Sequence, residues 1–317
     1  EVLKGPTATL YGGGLGTPLG GLINVVTARP DDEMGGYVAL RAGSFSTINP
    51  YGELNLPLGE GIAARIAGEY QSNDSWIDLV DEERWSVQPS VSFRPGPDTE
   101  LVLQGQLNHR SSLEYSGIPA GQALAGEIDR DTFPGAPVGQ PPTENDNRMG
   151  TASLRHSFSD GLVLNVTGRY YSGEIDEFGS FVSPSFFPAD PATPTVYPVA
   201  PVTMDTRTKE ATFDANLMLR TQALGGEHTL LLGASYDWTS FYSAMGLFVS
   251  NTPSGTIDLA DPVYDVIYTP QVPVNSFTDD RFETFAVYLQ DQATYGPLHL
   301  TGGVRLTSLK FIEDSNI

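Results

Sequence analysis

Residues 61–71 read GIAARIAGEYQ. Ile62, Ala64, Ile66, Gly68 and Tyr70 fall on alternate positions, and Arg65, Glu69 and Gln71 fall between them. Side chains on a strand alternate between two faces, so this stretch predicts a β-strand with one apolar and one charged face. The same division returns along the chain. Leu101, Leu103, Gly105 and Leu107 oppose Gln104, Gln106 and Asn108. Leu162, Leu164, Val166, Gly168 and Tyr170 oppose Asn165, Thr167 and Arg169. Val87, Pro89, Val91 and Phe93 oppose Gln88, Ser90, Ser92 and Arg94. Leu298, Leu300, Gly302, Val304 and Leu306 oppose His299, Thr301 and Arg305. About eleven such strands are expected, beginning near Tyr37, Tyr51, Ile62, Trp85, Leu101, Thr151, Leu162, Thr208, Thr229, Phe282 and Leu298. No helical i, i+3, i+4 pattern is sustained over three turns, so the expected class is all-β.

Alternation alone is shared by soluble sandwiches and membrane barrels. Two features point to the barrel. Connections alternate in length: 59–61, 95–98, 159–161, 224–227 and 295–297 are tight, whereas 112–148, 174–206 and 242–279 are long and rich in Pro, Gly, Ser and acids. Three structureless loops of about 30 residues are foreign to compact soluble domains, and a barrel has short turns at one rim with long loops at the other. Aromatics also sit at the ends of the apolar faces. Phe93 and Phe158 precede tight turns, while Tyr70, Tyr170, Tyr236 and Trp238 mark the opposite ends. Two aromatic girdles around an aliphatic band are the mark of strands that cross a bilayer.

Composition agrees. Of 317 residues, 39 are Asp or Glu and 17 are Lys or Arg, a net charge of −22, so a polyphosphate backbone would be repelled and a nucleic-acid partner is not expected. Charged residues make only 18 % and apolar residues 39 %, with 58 Gly and Pro. Cys is absent, which excludes disulfides, thiolate zinc sites and cysteine-held clusters. No targeting segment and no run of about 18 uncharged apolar residues occurs, so any crossing of a membrane falls to strands.

The first thirty residues, EVLKGPTATLYGGGLGTPLGGLINVVTARP, are of another kind: Gly-rich, with one expected strand from Leu22 to Val26. Thirty residues cannot build a core alone. The glycine spacing does not fit a phosphate loop, and no Gly-Lys-Ser/Thr follows.

These residues carry a specific resemblance. Glu1 to Pro6, Leu10-Tyr11-Gly12, Gly20 to Thr27 and Arg29-Pro30 resemble, in order, the end of the plug domain of TonB-dependent outer-membrane receptors. Downstream, Gly117-Ile118-Pro119 is similar to a loop motif of the siderophore-receptor branch, and Phe285–Gln292 and Leu300–Arg305 are similar to two of its strands. The resemblance covers essentially the whole chain, strongly at the start and more weakly beyond. It implies residues 1–30 as the C-terminal part of a plug, with Gly5, Pro6, Leu10, Tyr11, Gly12, Gly21, Ile23 and Asn24 as its motif positions. Residues 31–317 would then form the N-terminal half of a transmembrane antiparallel β-barrel, about eleven of the family's 22 strands. The stretch between Tyr11 and Ile23 is a few residues longer than the family pattern, and the TonB-contacting box lies outside this sequence.

The implied function is TonB-dependent uptake of a ferric siderophore across the outer membrane of a Gram-negative bacterium. The TonB energy-transducing complex, outer-membrane lipid and lipopolysaccharide are the other implied partners. Cobalamin or an oligosaccharide is the alternative cargo, and a passive porin or non-transporting surface β-protein the alternative class. No cofactor is expected, because iron arrives chelated. The expected ligand contacts are Tyr11, Tyr115, Phe181, Phe187 and Tyr242. For Tyr11 the alternative is packing between plug and barrel wall; for the loop aromatics, among them Phe178, Phe186, Phe241 and Phe248, it is packing of the loops. The four histidines, His109, His156, His228 and His299, do not converge as a triad or a metal site would require, so neither catalysis nor a resident metal is expected.

Overall fold

The computed structural model describes residues 2–4, 21–23, 26–186, 188–247, 255–270 and 274–316. Two short strands, β1 (Val2–Lys4) and β2 (Gly21–Ile23), pair antiparallel with Val2 opposite Ile23. Of the strand expected over 22–26, Leu22 and Ile23 belong to β2, while Val26 is exposed and lies outside any strand. Gly5, Pro6, Leu10, Tyr11, Gly12 and Asn24 fall outside the described residues.

The remaining strands form one antiparallel sheet of twelve. Eleven follow one another as a meander: β3 (Gly35–Gly43), β4 (Thr47–Gly59), β5 (Ile62–Asp74), β6 (Asp81–Gly96), β7 (Thr99–Ser112), β8 (Thr143–Ser159), β9 (Leu162–Val182), β10 (Val196–Ala223), β11 (Gly226–Leu247), β13 (Ser276–Tyr295) and β14 (Leu298–Ser315). The twelfth, β12 (Gly255–Asp258), pairs only with the start of β10. Each of the eleven expected strands is present.

The short turns work because their residues accept left-handed backbone. Leu224 and Gly225 both have positive φ, the geometry whose twist suits a two-residue hairpin. Gly61 has φ +71°, and a side chain there would strike the Arg94 carbonyl oxygen. The Gly61 carbonyl accepts a bond from the Arg94 amide at 2.6 Å, linking one turn to the next strand.

Register fixes the faces. Tyr70 lies opposite Trp85, which lies opposite His109; Phe213 lies opposite Tyr236, which lies opposite Phe285. Paired residues share a face, so these rows form the aromatic girdle toward the long-loop rim. Below them Leu103, Leu219, Leu232, Leu289 and Leu300 stand exposed on the same face, and Phe93 and Phe158 mark the other rim. An apolar belt of this extent is not a water-facing surface; it is the lipid-facing side of a membrane barrel wall. Among the described residues no helix is long and apolar enough to cross a membrane.

Pro89 sits inside this belt. The register places it opposite Gly105, whose missing side chain leaves room for the proline ring: a Cβ there would meet Pro89 Cγ at 3.2 Å. A proline that breaks the ladder is thus tolerated by the glycine facing it.

The long connections differ from expectation. Strands continue well into them: β9 reaches Val182, β10 starts at Val196, and β13 starts at Ser276. Above the membrane both faces of a strand meet water or other loops, so the apolar alternation that betrays a strand disappears. What remains is not structureless. A six-residue helix, α1 (Ala120–Ala125), follows Gly117-Ile118-Pro119 and ends at Gly126 in left-handed conformation. Val182, Tyr197, Val199, Ile257, Leu259 and Val266 join Ile128 and Ala136 in a buried apolar core. Each large apolar side chain contributes roughly 1.5–3 kcal/mol when fully buried. Phe133, fully buried, sits between Tyr115 and Tyr264 at ring distances of 6.4 and 6.5 Å. Its amide donates to the Tyr264 hydroxyl, and the Ala136 amide donates to Ser180 Oγ at 2.7 Å. Three loops thus share one core at the outer rim.

Candidate functional site

The inner face is polar. Tyr288 donates to Asp214 at 2.8 Å, Arg305 donates to Ser235 at 2.9 Å, and the Arg305 guanidinium lies 5.5 Å from the centre of the Tyr288 ring. Asn165 and Asn216 bridge β9 and β10 at 3.0 Å, and Asn216 also donates to Asp214. Asp214, Asn216, Ser235, Tyr288 and Arg305 line a cavity of about 450 Å³ on the lumenal wall. Nearer the short turns, Arg65 pairs with Glu53 and Arg94 with Asp32.

A larger cavity, about 580 Å³, lies at the outer mouth and is shared by several elements. That size is ordinary for a small-molecule site. Strands β5 to β9 contribute their inward positions there: Asn73, Glu82, Arg110, Asn145 and Ile175. Three aromatics join them. Phe45 arrives on the β3–β4 turn, where Phe45 and Ser46 both have positive φ without glycine's freedom. The Asp74 amide donates to the Phe45 carbonyl at 2.8 Å and so tethers that turn. Strained backbone of this kind persists only where its surroundings hold it, and it concentrates at binding sites. Trp76 is half exposed, while its neighbour Ile77 is buried and the Asp78 amide donates to the Asp131 carbonyl of the loop core. Tyr115 leans on Phe133, and burial pushes its phenol up from the ordinary value. Arg110 forks onto Glu82 through Nε at 2.9 Å and Nη2 at 2.7 Å. The site combines aromatic faces with a few fixed polar groups, the makeup of a binding pocket.

Of the expected ligand contacts, Tyr115 lies in this pocket. Phe181 does not: it is partly buried on β9 opposite Ala200, next to Val182 of the loop core. Tyr242, expected in a loop, lies instead on β11 opposite Arg207 and Asp279, on the face of Tyr236 and Trp238 and away from the lumen. Its neighbour Phe241 takes the inward position instead. Tyr11 and Phe187 fall outside the described residues. The sequence reading missed Phe45 and Trp76. A Ser-Phe-Ser turn without Gly or Asn between two alternating strands was the available signal for Phe45; Trp76 had none.

The histidines take separate partners: His109 with Asp146, His228 with Asp291, His156 with Thr99 and His299 with Thr294. Among the described residues, only Glu174, Asp176 and Asp205 bring three potential metal-ligating atoms together. They lie on the outward face above the girdle, where burial and the two neighbouring carboxylates push the Asp176 carboxyl up. Arg207 already holds Glu174 at 3.1 Å and Asp205 at 3.0 Å, so a cation would have to displace a guanidinium.

The family model described as TonB dependent receptor-like, beta-barrel, matches residues 83–316. The chain belongs to the TonB-dependent receptor β-barrel family. The bilayer crossed by this TonB-dependent receptor wall is the Gram-negative outer membrane. It is 28 % identical over 310 residues to the metal-pseudopaline receptor of Pseudomonas aeruginosa, covering 93 % of this chain and 40 % of that protein. It is 24 % identical over 346 residues to the ferrioxamine receptor of Yersinia enterocolitica, covering 98 % and 43 %. In fold it is similar to the ferric-catecholate import receptor Fiu of E. coli (open form; TM-score 0.80, 22 % identity, 99 % of this chain and 50 % of that one). It is also similar to the P. aeruginosa ferripyoverdine receptor bound to ferripyoverdine (TM-score 0.82, 21 % identity, 99 % and 42 %). The chain spans about two fifths of the length of these two curated relatives.

Proposed function

We propose that this chain is the first half of the barrel of a receptor for TonB-dependent uptake of a ferric siderophore, and that the Phe45–Trp76–Tyr115 pocket is where the chelate first rests. The observation that carries this is the pocket: three aromatic faces and fixed polar groups at the outer mouth of a polar lumen, under a packed loop core. The names of the relatives, receptors for metal-pseudopaline, ferrioxamine and ferripyoverdine, support a chelate as cargo. In this reading residues 1–30 end a plug domain, with Gly21 and Ile23 in its β2 strand, and residues 31–317 belong to the barrel. Iron enters only as chelated cargo, no cofactor or catalytic group takes part, and the TonB complex supplies the pull that releases the cargo inward. Outer-membrane lipid faces the apolar belt, and lipopolysaccharide faces the wall above it.

The test is uptake of radiolabelled ferric chelates by cells carrying the complete receptor, with and without TonB. Uptake that depends on both is the expected result; uptake of cobalamin or a glycan instead, or diffusion without TonB, would sink the reading. Trp76→Ala in the complete receptor should weaken chelate binding by about 10- to 30-fold, because an exposed indole in a pocket contributes contact area that no neighbour replaces. Calorimetric titration checks this, and an unchanged Kd would remove Trp76 from the site.

A further inference from the structure

The pocket at the outer mouth is acidic. Glu82 and Glu114 line it, and Asp74 and Asp81 stand exposed at its rim; against the single guanidinium of Arg110 these leave a charge of −3. Arg110 is committed to Glu82 by its two hydrogen bonds. Among the described residues Asp74, Asp81 and Glu114 have no basic partner, and the next guanidinium down the wall, Arg84, donates to Gln71. The Glu114 side chain lies over Gly179 of β9, where a Cβ would meet its Cγ at 3.4 Å, and Glu177 stands two positions before that glycine on the same strand face. Burial and the nearby Glu114 push the Glu177 carboxyl up, so the two carboxylates feel one another.

The surroundings amplify this field. Segments 71–84, 110–148, 172–210 and 240–283 hold 23 Asp and Glu against seven Lys and Arg, which is sixteen of the chain's 22 net negative charges. A mouth of one sign concentrates ligands of the opposite sign and turns away those of its own. The aromatic faces of Phe45, Trp76 and Tyr115 act in the same direction, since an ammonium group is drawn to the face of an aromatic ring.

Resting on the siderophore reading above, we propose that the chelate admitted by this mouth carries net positive charge: a ferric trihydroxamate bearing a protonated amine, not a ferric tris-catecholate with three negative charges. Three hydroxamates neutralise Fe(III), so the amine sets the charge of the complex. Three catecholates leave it at −3, facing a pocket of the same sign.

The complete receptor tests this with three probes: ferrioxamine B, the same complex with its amine acetylated, and a ferric tris-catecholate. The acetylated form keeps the iron centre and loses only the charge. Ferrioxamine B should bind about tenfold more tightly than its acetylated form at low salt, with the ratio falling toward one at about 0.5 M salt as the charges are screened. Asp74→Asn with Glu114→Gln should shrink the low-salt ratio several-fold, since the ratio reads the charge preference separately from any change in contact with the iron centre. Equal binding of the two hydroxamates, or tighter binding of the catecholate, would overturn the proposal and leave the siderophore reading standing. Failure of all three probes would count against both.

Discussion

Replacing Phe133 by Ala should loosen the loop core at the outer rim by about 3–5 kcal/mol while the barrel wall stays folded. The side chain is fully buried between two tyrosines, and its removal leaves a cavity that the surrounding short segments cannot fill. The wall is insulated because its strands are held by continuous ladders that do not run through residues 113–142. Amide exchange in the complete receptor reads both parts separately. Exchange should accelerate by at least about a hundredfold across residues 113–142 and 183–195, with β4 to β7 unchanged. If all regions open together, the loops and wall form one cooperative unit and the division drawn here is wrong. Since Tyr115 leans on Phe133, chelate affinity should fall in the same variant.

Leu232→Arg should cost the folded receptor about 2–4 kcal/mol, because the position is on the lipid face near the middle of the belt. Leu232 is 57 % exposed and lies opposite Leu217 and Leu289. A guanidinium there would have to snorkel along several residues of strand to reach a rim. Gln106→Glu on the inward face of β7 should change stability by less than about 1 kcal/mol, since that face already meets polar groups. Urea unfolding in lipid vesicles compares them. Equal effects at the two positions would mean that the faces have been assigned wrongly.

The wall was legible in the sequence because membrane solvent imposes a period of two. Tyr70, Tyr170 and Tyr236 fell on the expected face, and the turn at Gly61 marked the expected rim. The strand tops were not legible, because Thr203, Met204 and Asp205 have no lipid to face, and an extended strand in water carries no alternation. The loop core was hidden for a related reason. Val199 stands in a proline-broken apolar stretch and Ile257 and Leu259 in a distant segment, and only the fold brings them together. The pocket was half legible: Tyr115 followed from its neighbouring Gly117-Ile118-Pro119, whereas Trp76 stands in a short stretch without a pattern. Tyr242 shows the opposite error, an aromatic placed in a loop by composition that the register assigns to a strand's outer face.

Strand β9 rises from the turn beside Leu162, and the pocket residue Ile175 stands thirteen positions above it. At about 3.3 Å per residue and a tilt near 40°, that is roughly 33 Å of height, more than the ~25 Å of the apolar band. On the proposed uptake, a chelate resting beside Tyr115 would be captured while still outside the bilayer, with the whole thickness of the membrane ahead of it. That reading would separate recognition from passage in space: variants in the mouth should alter how often a journey begins, and those around Asp214, Tyr288 and Arg305 how long it takes.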